Sequence, residues 1–310
     1  MNREAFLECV PNFSEGRDIA KIEAIEQAIR STGAAVLDRH VDADHNRSVV
    51  TFASPADMVG EAAFRAVRQA MQSIDLRLHA GAHPRIGATD VVPFVPLRGA
   101  TLEECVPIAE ELGQRIWDEL RIPVYLYGAA ARRPERANLA AIRRGQFEGL
   151  RKDAPIVPER SPDIGGPQLH VTAGATAVGA RNFLIAFNIN LATADLEIAR
   201  RIARAIRSSS GGLPCLQAMG VMLQTRNLAQ VSMNLTDFER TSIQRVFEAV
   251  RSKAARLLTD IAGSEIVGLI PSKALAGTSP ADLLLEHFHE GMVLENRIEQ
   301  EARAGRLAGW

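Results

Sequence analysis

The 310-residue chain has only three cysteines, Cys9, Cys105 and Cys215, scattered and without paired spacing. An odd, dispersed set argues against a disulfide framework or a cysteine-based zinc site and points to a reducing compartment. Nor is there an excess of charge: 36 Lys plus Arg face 37 Asp plus Glu, so no global field draws the chain to nucleic acid or anionic lipid. Any anion-binding surface is local. The N-terminus, Met1-Asn2-Arg3-Glu4-Ala5-Phe6, lacks the apolar core of a signal peptide, and no later apolar run reaches membrane-spanning length. The expected location is the cytoplasm. Gly174-Ala175-Thr176-Ala177-Val178-Gly179-Ala180-Arg181 lacks a Walker lysine and the dinucleotide spacing, which argues against ATP or NAD.

What the sequence does hold is one segment dense in chemistry, His79-Ala80-Gly81-Ala82-His83-Pro84-Arg85-Ile86-Gly87-Ala88-Thr89-Asp90. Gly81, Pro84 and Gly87 make a helix unfavourable there, since glycine costs roughly 1 kcal/mol and proline roughly 3 in a helix interior. A turn-rich loop is expected, anchored by the apolar run Val91 to Pro96, which reads as a buried strand with Pro93 at an edge or bulge. Three readings of the loop stand side by side. The imidazoles satisfy backbone groups in a structural turn; or His79, His83 and Asp90 bind a metal, although the i, i+4 pair has no helix to align it; or one histidine, oriented by a nearby carboxylate, moves protons near neutrality.

Periodicity along the chain gives an architecture. Strand Phe6–Val10 leads through a turn-forming loop to a helix from Ile19 to Ser31, capped by Asp18 and closed by Gly33. Strands at Ala35–Asp38 and Arg47–Ala53 flank the polar turn Asp42–Asn46, a helix carries Val59 to Ile74, and the strand at Val91 completes β-α-β-β-α-β. A helix from Thr101 to Leu120 and a strand Val124–Tyr127 follow. A second β-α-β-β-α-β runs from the strand Phe183–Ile189 through helix Ala194–Ser208, strands Cys215–Leu223 and Leu228–Leu235, and helix Thr241–Leu258 to strand Glu265–Ile270. The fold class is therefore α+β: two ferredoxin-like (βαββαβ) α/β subdomains, 1–178 and 179–310, with a ligand cleft between them and no residue-level repeat.

Three stretches fall outside this pattern. Gly128 to Thr172, rich in Arg, Pro and Gly with a short helix near Ala137–Arg144, reads as a binding segment or a solvated connector. Its cluster Arg132, Arg133, Arg136, Arg143, Arg144, Arg151 and Lys152 is suited to an anionic tail. Gly174 to Arg181 offers backbone N–H groups and a guanidinium for a carboxylate. Ala281 to Trp310 looks helical and amphipathic, suited to docking on the second subdomain or on another chain.

Val10 to Gly16, His83-Pro84-Arg85 with Gly87 and Asp90, Val124 to Gly128, Gly174 to Arg181, Phe183 to Asn190 and Asn227 to Ser232 together resemble the glutamate formimidoyltransferases, in order, over residues from about 6 to 275. The resemblance implies transfer of the formimino group from N-formimino-L-glutamate to N5 of tetrahydrofolate, a step of histidine degradation, by a homodimer; no metal is expected, because the sequence offers no cysteine cluster and no helical His pair. It makes His83 the catalytic acid–base residue. One imidazole suffices in principle to take the N5 proton and return one to the departing amine. It places folate along Gly165, Gly166, Pro167, Gln168, Leu169, His170 and on to Gly174, with Asp42, Arg85, Asp90 and Arg181 as further substrate contacts. Asp42 is expected to orient His83 or to balance positive charge on the amidine.

The segment 165–174 agrees only loosely with the vertebrate pattern. The chain ends at Trp310, where vertebrate members continue into a cyclodeaminase domain, so that second activity is not expected. Two other functions share the resemblance: formyl transfer between N-formylglutamate and 5-formyltetrahydrofolate, and a non-catalytic folate-binding role. The presence of His83, Arg85, Asp42 and Asp90 argues against the last.

Overall fold

A computed structural model describes residues 5–307 and 309–310, so the N-terminal Met1-Asn2-Arg3-Glu4 and residue 308 lie outside the described residues. The chain divides into two compact units, one holding the described residues through Arg181 together with those from Glu301 onward, the other Asn182–Gln300.

In the first unit the elements run β1 (Phe6–Cys9), β2 (Asn12–Phe13), α1 (Ile19–Arg30), β3 (Ala35–Asp42), β4 (Arg47–Pro55), α2 (Val59–Ser73), β5 (Thr89–Pro96), α3 (Leu102–Leu120), β6 (Val124–Gly128), α4 (Leu139–Ile142), α5 (Gln146–Asp153) and β7 (Thr176–Ala180). Local chemistry sets the helix starts. The Asp18 carboxylate accepts from Ala20 N at 3.1 Å, and Thr101 with Glu104 forms a reciprocal capping box at α3. β1 and β2 act as one strand broken at Val10-Pro11, and both pair antiparallel with β4 and with β5. β3 lies antiparallel beyond β4, while β7 and then β6 extend the other side in parallel, making a seven-stranded sheet.

One face of this sheet carries Leu7, Val50, Phe52, Val92, Phe94 and Leu126, packed against Ile25, Phe64, Val67, Ile108 and Leu112 of α1, α2 and α3. Full burial of such side chains contributes about 1.5–3 kcal/mol each. A separate apolar cluster joins Val91, Tyr125, Tyr127 and Ala177 to Ile142, Phe147 and Leu150 of α4 and α5.

Two sequence readings are corrected here. Gly174–Arg181 is not an open anion cradle: Thr176–Ala180 is a fully buried strand. A Cβ on Gly179 would stand 2.2 Å from the Tyr127 carbonyl oxygen, so glycine permits the close approach of β7 to β6. The 128–172 segment is not a connector either. Its helices bury Ile142, Phe147 and Leu150 against the sheet, and its short spans explain why helical periodicity does not show in the sequence.

The second unit contains β8 (Ile185–Leu191), α6 (Leu196–Ile206), β9 (Leu216–Leu223), β10 (Leu228–Leu235), α7 (Ile243–Arg256) and β11 (Ile261–Val267), and α8 (Leu294–Arg303) begins in it. Its sheet is antiparallel throughout, in the order β11-β8-β10-β9. Phe187, Ile189, Val231 and Met233 pack with Ile202, Ile206, Val246, Phe247 and Val250 on the helical face. The last strand lies earlier than the sequence suggests, because Gly268 at φ +84° ends it while Leu269 and Ile270 bury outside the ladder. The tail is also corrected. Among the described residues after Ala281 the α-helical ones are Leu294–Arg303, and Trp310 packs edge-on against Phe6 at 5.2 Å, with the Arg98 guanidinium 4.8 Å from the Trp310 ring centroid. The cation over the indole fixes the chain end to the first unit.

Candidate active site

Two adjacent turns of the first unit build the site: the loop from His79 to Asp90 between α2 and β5, and the turn from Asp42 to Asn46 between β3 and β4. They are stitched together by three hydrogen bonds. Ala82 N donates to Asp44 O at 3.2 Å, Asn46 Nδ2 to Ala80 O at 3.0 Å, and His79 Nε2 to Asn46 O at 2.9 Å. A Cβ on Gly81 would lie 2.3 Å from His45 O, so only glycine allows this approach.

The loop is held from behind as well. Asp90 Oδ1 accepts Ile86 N at 2.7 Å, and its Oδ2 accepts Arg143 Nε at 2.9 Å. Arg85 is bidentate to Glu148 at 2.7 and 2.8 Å and donates to His79 Nδ1 at 3.1 Å. His79 thus spends both ring nitrogens on the frame. Among the described residues none hydrogen-bonds the His83 side chain except a backbone group at Pro84. Of the two imidazoles in the loop, His83 is the one left for chemistry.

Charge around His83 is set by residues from three elements. Burial pushes its imidazole well below the ordinary range, and the charges of Arg47, Arg143 and His45 push the same way. The ring is neutral at physiological pH and ready to accept a proton. Arg47, whose Nε donates to Asn12 Oδ1 at 3.0 Å, is brought down to about 10 by burial and by Arg143, so it remains a cation. Burial raises the Asp42 carboxyl, but the side-chain and backbone hydrogen bonds from His45, with the charges of His45 and His40, outweigh it and bring it down to about 2.

Asp42 therefore orients His45, not His83: its Oδ2 lies 2.6 Å from His45 Nδ1 and its Oδ1 accepts His45 N at 2.8 Å. The three-residue spacing in the turn decides this, because the ring three positions on folds back onto the carboxylate. Arg85 and Asp90, expected as substrate contacts, are 6% and 3% exposed and engaged within the protein. Their geometry makes them braces of the loop.

The expected folate segment meets the same loop. Gly165, at φ +94°, lies so close that a Cβ would sit 2.5 Å from the Trp117 ring; Pro167 and Gln168 are exposed; Leu169 is buried in the α4–α5 cluster. Gly166 is half-buried near the same ring, and His170 Nδ1 accepts Ala173 N at 3.0 Å. Beyond it, Ala88 N donates to Ala173 O at 2.9 Å, Ala175 N to Ile86 O at 3.0 Å, and Gly174 bridges Gly87. Arg181 lies at the end of β7, near Glu8 and Tyr127, and Tyr127 also feels Arg143.

Sequence reasoning did not place His45, Arg47, Asn12 or Glu148 at the site, and it gave Arg143 to an anionic tail, whereas Arg143 holds Asp90. Only Asp42-x-x-His45 leaves a trace in the sequence; Arg143 and Glu148 meet the loop across 53 and 63 residues of chain, and Asn12 holds Arg47 across 35. Among the described residues no three His, Cys, Asp or Glu side chains converge as a metal-ligand group.

This site lies in a chain whose residues 6–181 match the family described as "Formiminotransferase domain, N-terminal subdomain" and whose residues 186–299 match "Formiminotransferase domain". It is 46% identical over 294 residues to the glutamate formimidoyltransferase of Streptococcus pyogenes serotype M1, covering 94% of this chain and 98% of that one. It is 45% identical to the Thermoplasma acidophilum enzyme of the same name, covering 96% and 99%. It is 44% identical to the formimidoyltransferase-cyclodeaminase of Rattus norvegicus, covering 96% of this chain and 57% of that longer protein. With both family patterns matched in order across nearly its whole length, the chain belongs to the formiminotransferase domain family.

Proposed function

We propose that this protein transfers the formimino group of N-formimino-L-glutamate to N5 of tetrahydrofolate, giving 5-formiminotetrahydrofolate and L-glutamate. The observation that carries this reading is the end-to-end identity with chains named glutamate formimidoyltransferase. The geometry around His83 supplies the chemistry. Bond formation between a secondary amine and an amidine carbon leaves a surplus proton on N5, and a neutral imidazole is the base to remove it. His83 is kept neutral by burial and by Arg47 and Arg143. The same two cations favour a doubly carboxylated substrate over a neutral one.

The folate fit is supported at the junction of the two loops. Leu76 N donates to Thr172 O at 2.9 Å, and on these adjoining segments Leu78 is 86% and Val171 56% exposed. Exposed apolar side chains beside a catalytic loop suit a flat heterocycle. We also read both units as ferredoxin-like and the enzyme as a cytoplasmic homodimer. The order β11-β8-β10-β9 with α6 and α7 on one face supports the first of these.

The test is to mix purified protein with N-formimino-L-glutamate and tetrahydrofolate and follow the pterin absorbance, with N-formyl-L-glutamate in parallel. Turnover of the formimino donor at a higher kcat/KM than the formyl donor is expected. Turnover of the formyl donor alone, or of neither, overturns the reading.

A further inference from the structure

Among the described residues neither side chain of the Asp42–His45 pair hydrogen-bonds the loop, yet the His45 ring stands against that of His83. His45 is 9% exposed, its Nδ1 is bound to Asp42 at 2.6 Å, and its ring centroid lies 6.2 Å from that of His83 at 63°. Among the described residues none hydrogen-bonds its Nε2. A turn cap needs only the Asp42 Oδ1 to His45 N bond of 2.8 Å; the ring-to-carboxylate bond goes beyond capping. It is the arrangement by which a carboxylate fixes one tautomer of an imidazole and balances the charge that forms when Nε2 is protonated.

We propose that His45, oriented by Asp42, is a second catalytic residue: the acid that protonates the departing glutamate nitrogen, while His83 is the base that deprotonates N5. The inference rests on the formimino-transfer reading. The two rings have opposite settings, which is how paired groups divide acid and base roles. Arg47 and Arg143 bear on His83 and favour its neutral form; an ionised carboxylate faces His45.

The atoms balance. As the bond from N5 to the amidinium carbon forms, the C=N π pair moves to nitrogen and the N5 proton passes to His83. The carbon–nitrogen bond to glutamate then breaks with its electron pair on the glutamate nitrogen, which receives the His45 proton. The lone pair of the remaining amino group restores a C=N bond. His83 ends protonated and His45 neutral, and exchange with solvent resets both.

The charged and titratable groups about the pair are Asp42 and His40 on β3, Arg47 on β4, His83 and Asp90 from the loop and β5, and Arg143 beyond α4. In wild type, kcat/KM should fall on the acid side as His83 gains a proton. His45→Asn retains a donor for Asp42 but no titratable proton; His45→Gln is a second variant in case the first folds poorly, and thermal unfolding reports on both. The expected result is a kcat about 100-fold lower, KM for both substrates within about threefold, and the acid limb kept. Asp42→Asn, which removes the carboxylate that orients the ring, should lower kcat in the same direction with KM little changed. A folded His45 variant with kcat within about tenfold of wild type overturns the assignment. A wild type inert toward N-formimino-L-glutamate removes the underlying reading and this inference together; an active wild type with unaffected His45 variants removes this inference alone.

Discussion

Arg143, at the end of α4, reaches Asp90 at the start of β5, its Nε 2.9 Å from Oδ2, and so ties the 128–172 segment to the His79–Asp90 loop. The same guanidinium helps keep His83 neutral. Arg85 makes the reciprocal tie to Glu148 of α5. A segment that looks like a spacer in sequence is therefore the back wall of the site.

For the base itself, His83→Ala should lower kcat by about 10²- to 10⁴-fold with little change in folate affinity. Since burial and the neighbouring cations hold the wild-type imidazole below its ordinary range, the acid limb of kcat/KM should lie below the usual histidine titration near pH 6.5. A mutant keeping more than about a tenth of wild-type kcat removes His83 from the role.

Loop placement has its own test. Gly81→Ala introduces a Cβ 2.3 Å from His45 O, which forces the loop and the β3–β4 turn apart. Steady-state kinetics should show kcat down by about 10- to 100-fold, because displacements near 1 Å are costly to catalysis. Unchanged kcat would mean that the contact does not position the site.

The side chains of Arg136 and Asp163 are 3% and 4% exposed and paired at 2.5 Å, while Asp163 also accepts Leu126 N at 2.8 Å. Arg136→Ala strands a buried carboxylate and should destabilise the protein by about 3–5 kcal/mol in denaturant unfolding. A loss under about 1 kcal/mol would show that the carboxylate is accommodated by other groups.

Glu8 is pushed up to about 7 by burial, against the pull of Arg181, from an ordinary 4.5. The folded state thus holds this proton more tightly than the unfolded one. The resulting stability is present below pH 4.5 and is lost as the pH rises through about 7. Glu8→Gln should therefore raise stability by about 1–3 kcal/mol at pH 8 and change little near pH 5. Equal effects at both pH values would contradict the assignment.

The basic cluster after Gly128 is now divided. Arg136 and Arg143 are committed to Asp163 and Asp90, whereas Arg144, Arg151 and Lys152 are exposed. If the exposed three attract a polyglutamate tail, wild type should show a lower KM for pentaglutamylated than for monoglutamylated tetrahydrofolate. The triple Ala variant should lose that preference, as should wild type at high salt, since each exposed pair contributes about 0.2–1 kcal/mol and is screened. Absence of any preference in wild type at low salt rejects the idea.

Sequence alone carried the periodic elements of both units and the loop with His83, because hydrophobic spacing, helix caps and Gly/Pro punctuation are local signals. It also carried the family resemblance, through ordered blocks of residues. It did not reveal β7, whose small residues Ala177, Gly179 and Ala180 look like a ligand loop until the close approach to β6 is seen. Apart from that resemblance it did not separate the two loop imidazoles, nor did it show that Asp42 serves His45. Those assignments depend on which side chains meet across tens of residues. Arg85 leaves His79 fully bonded and Arg143 keeps His83 neutral only because burial of α4 and α5 against β6 and β7 brings Glu148 and Arg143 to the loop. That packing is decided by tertiary burial, which no local pattern encodes.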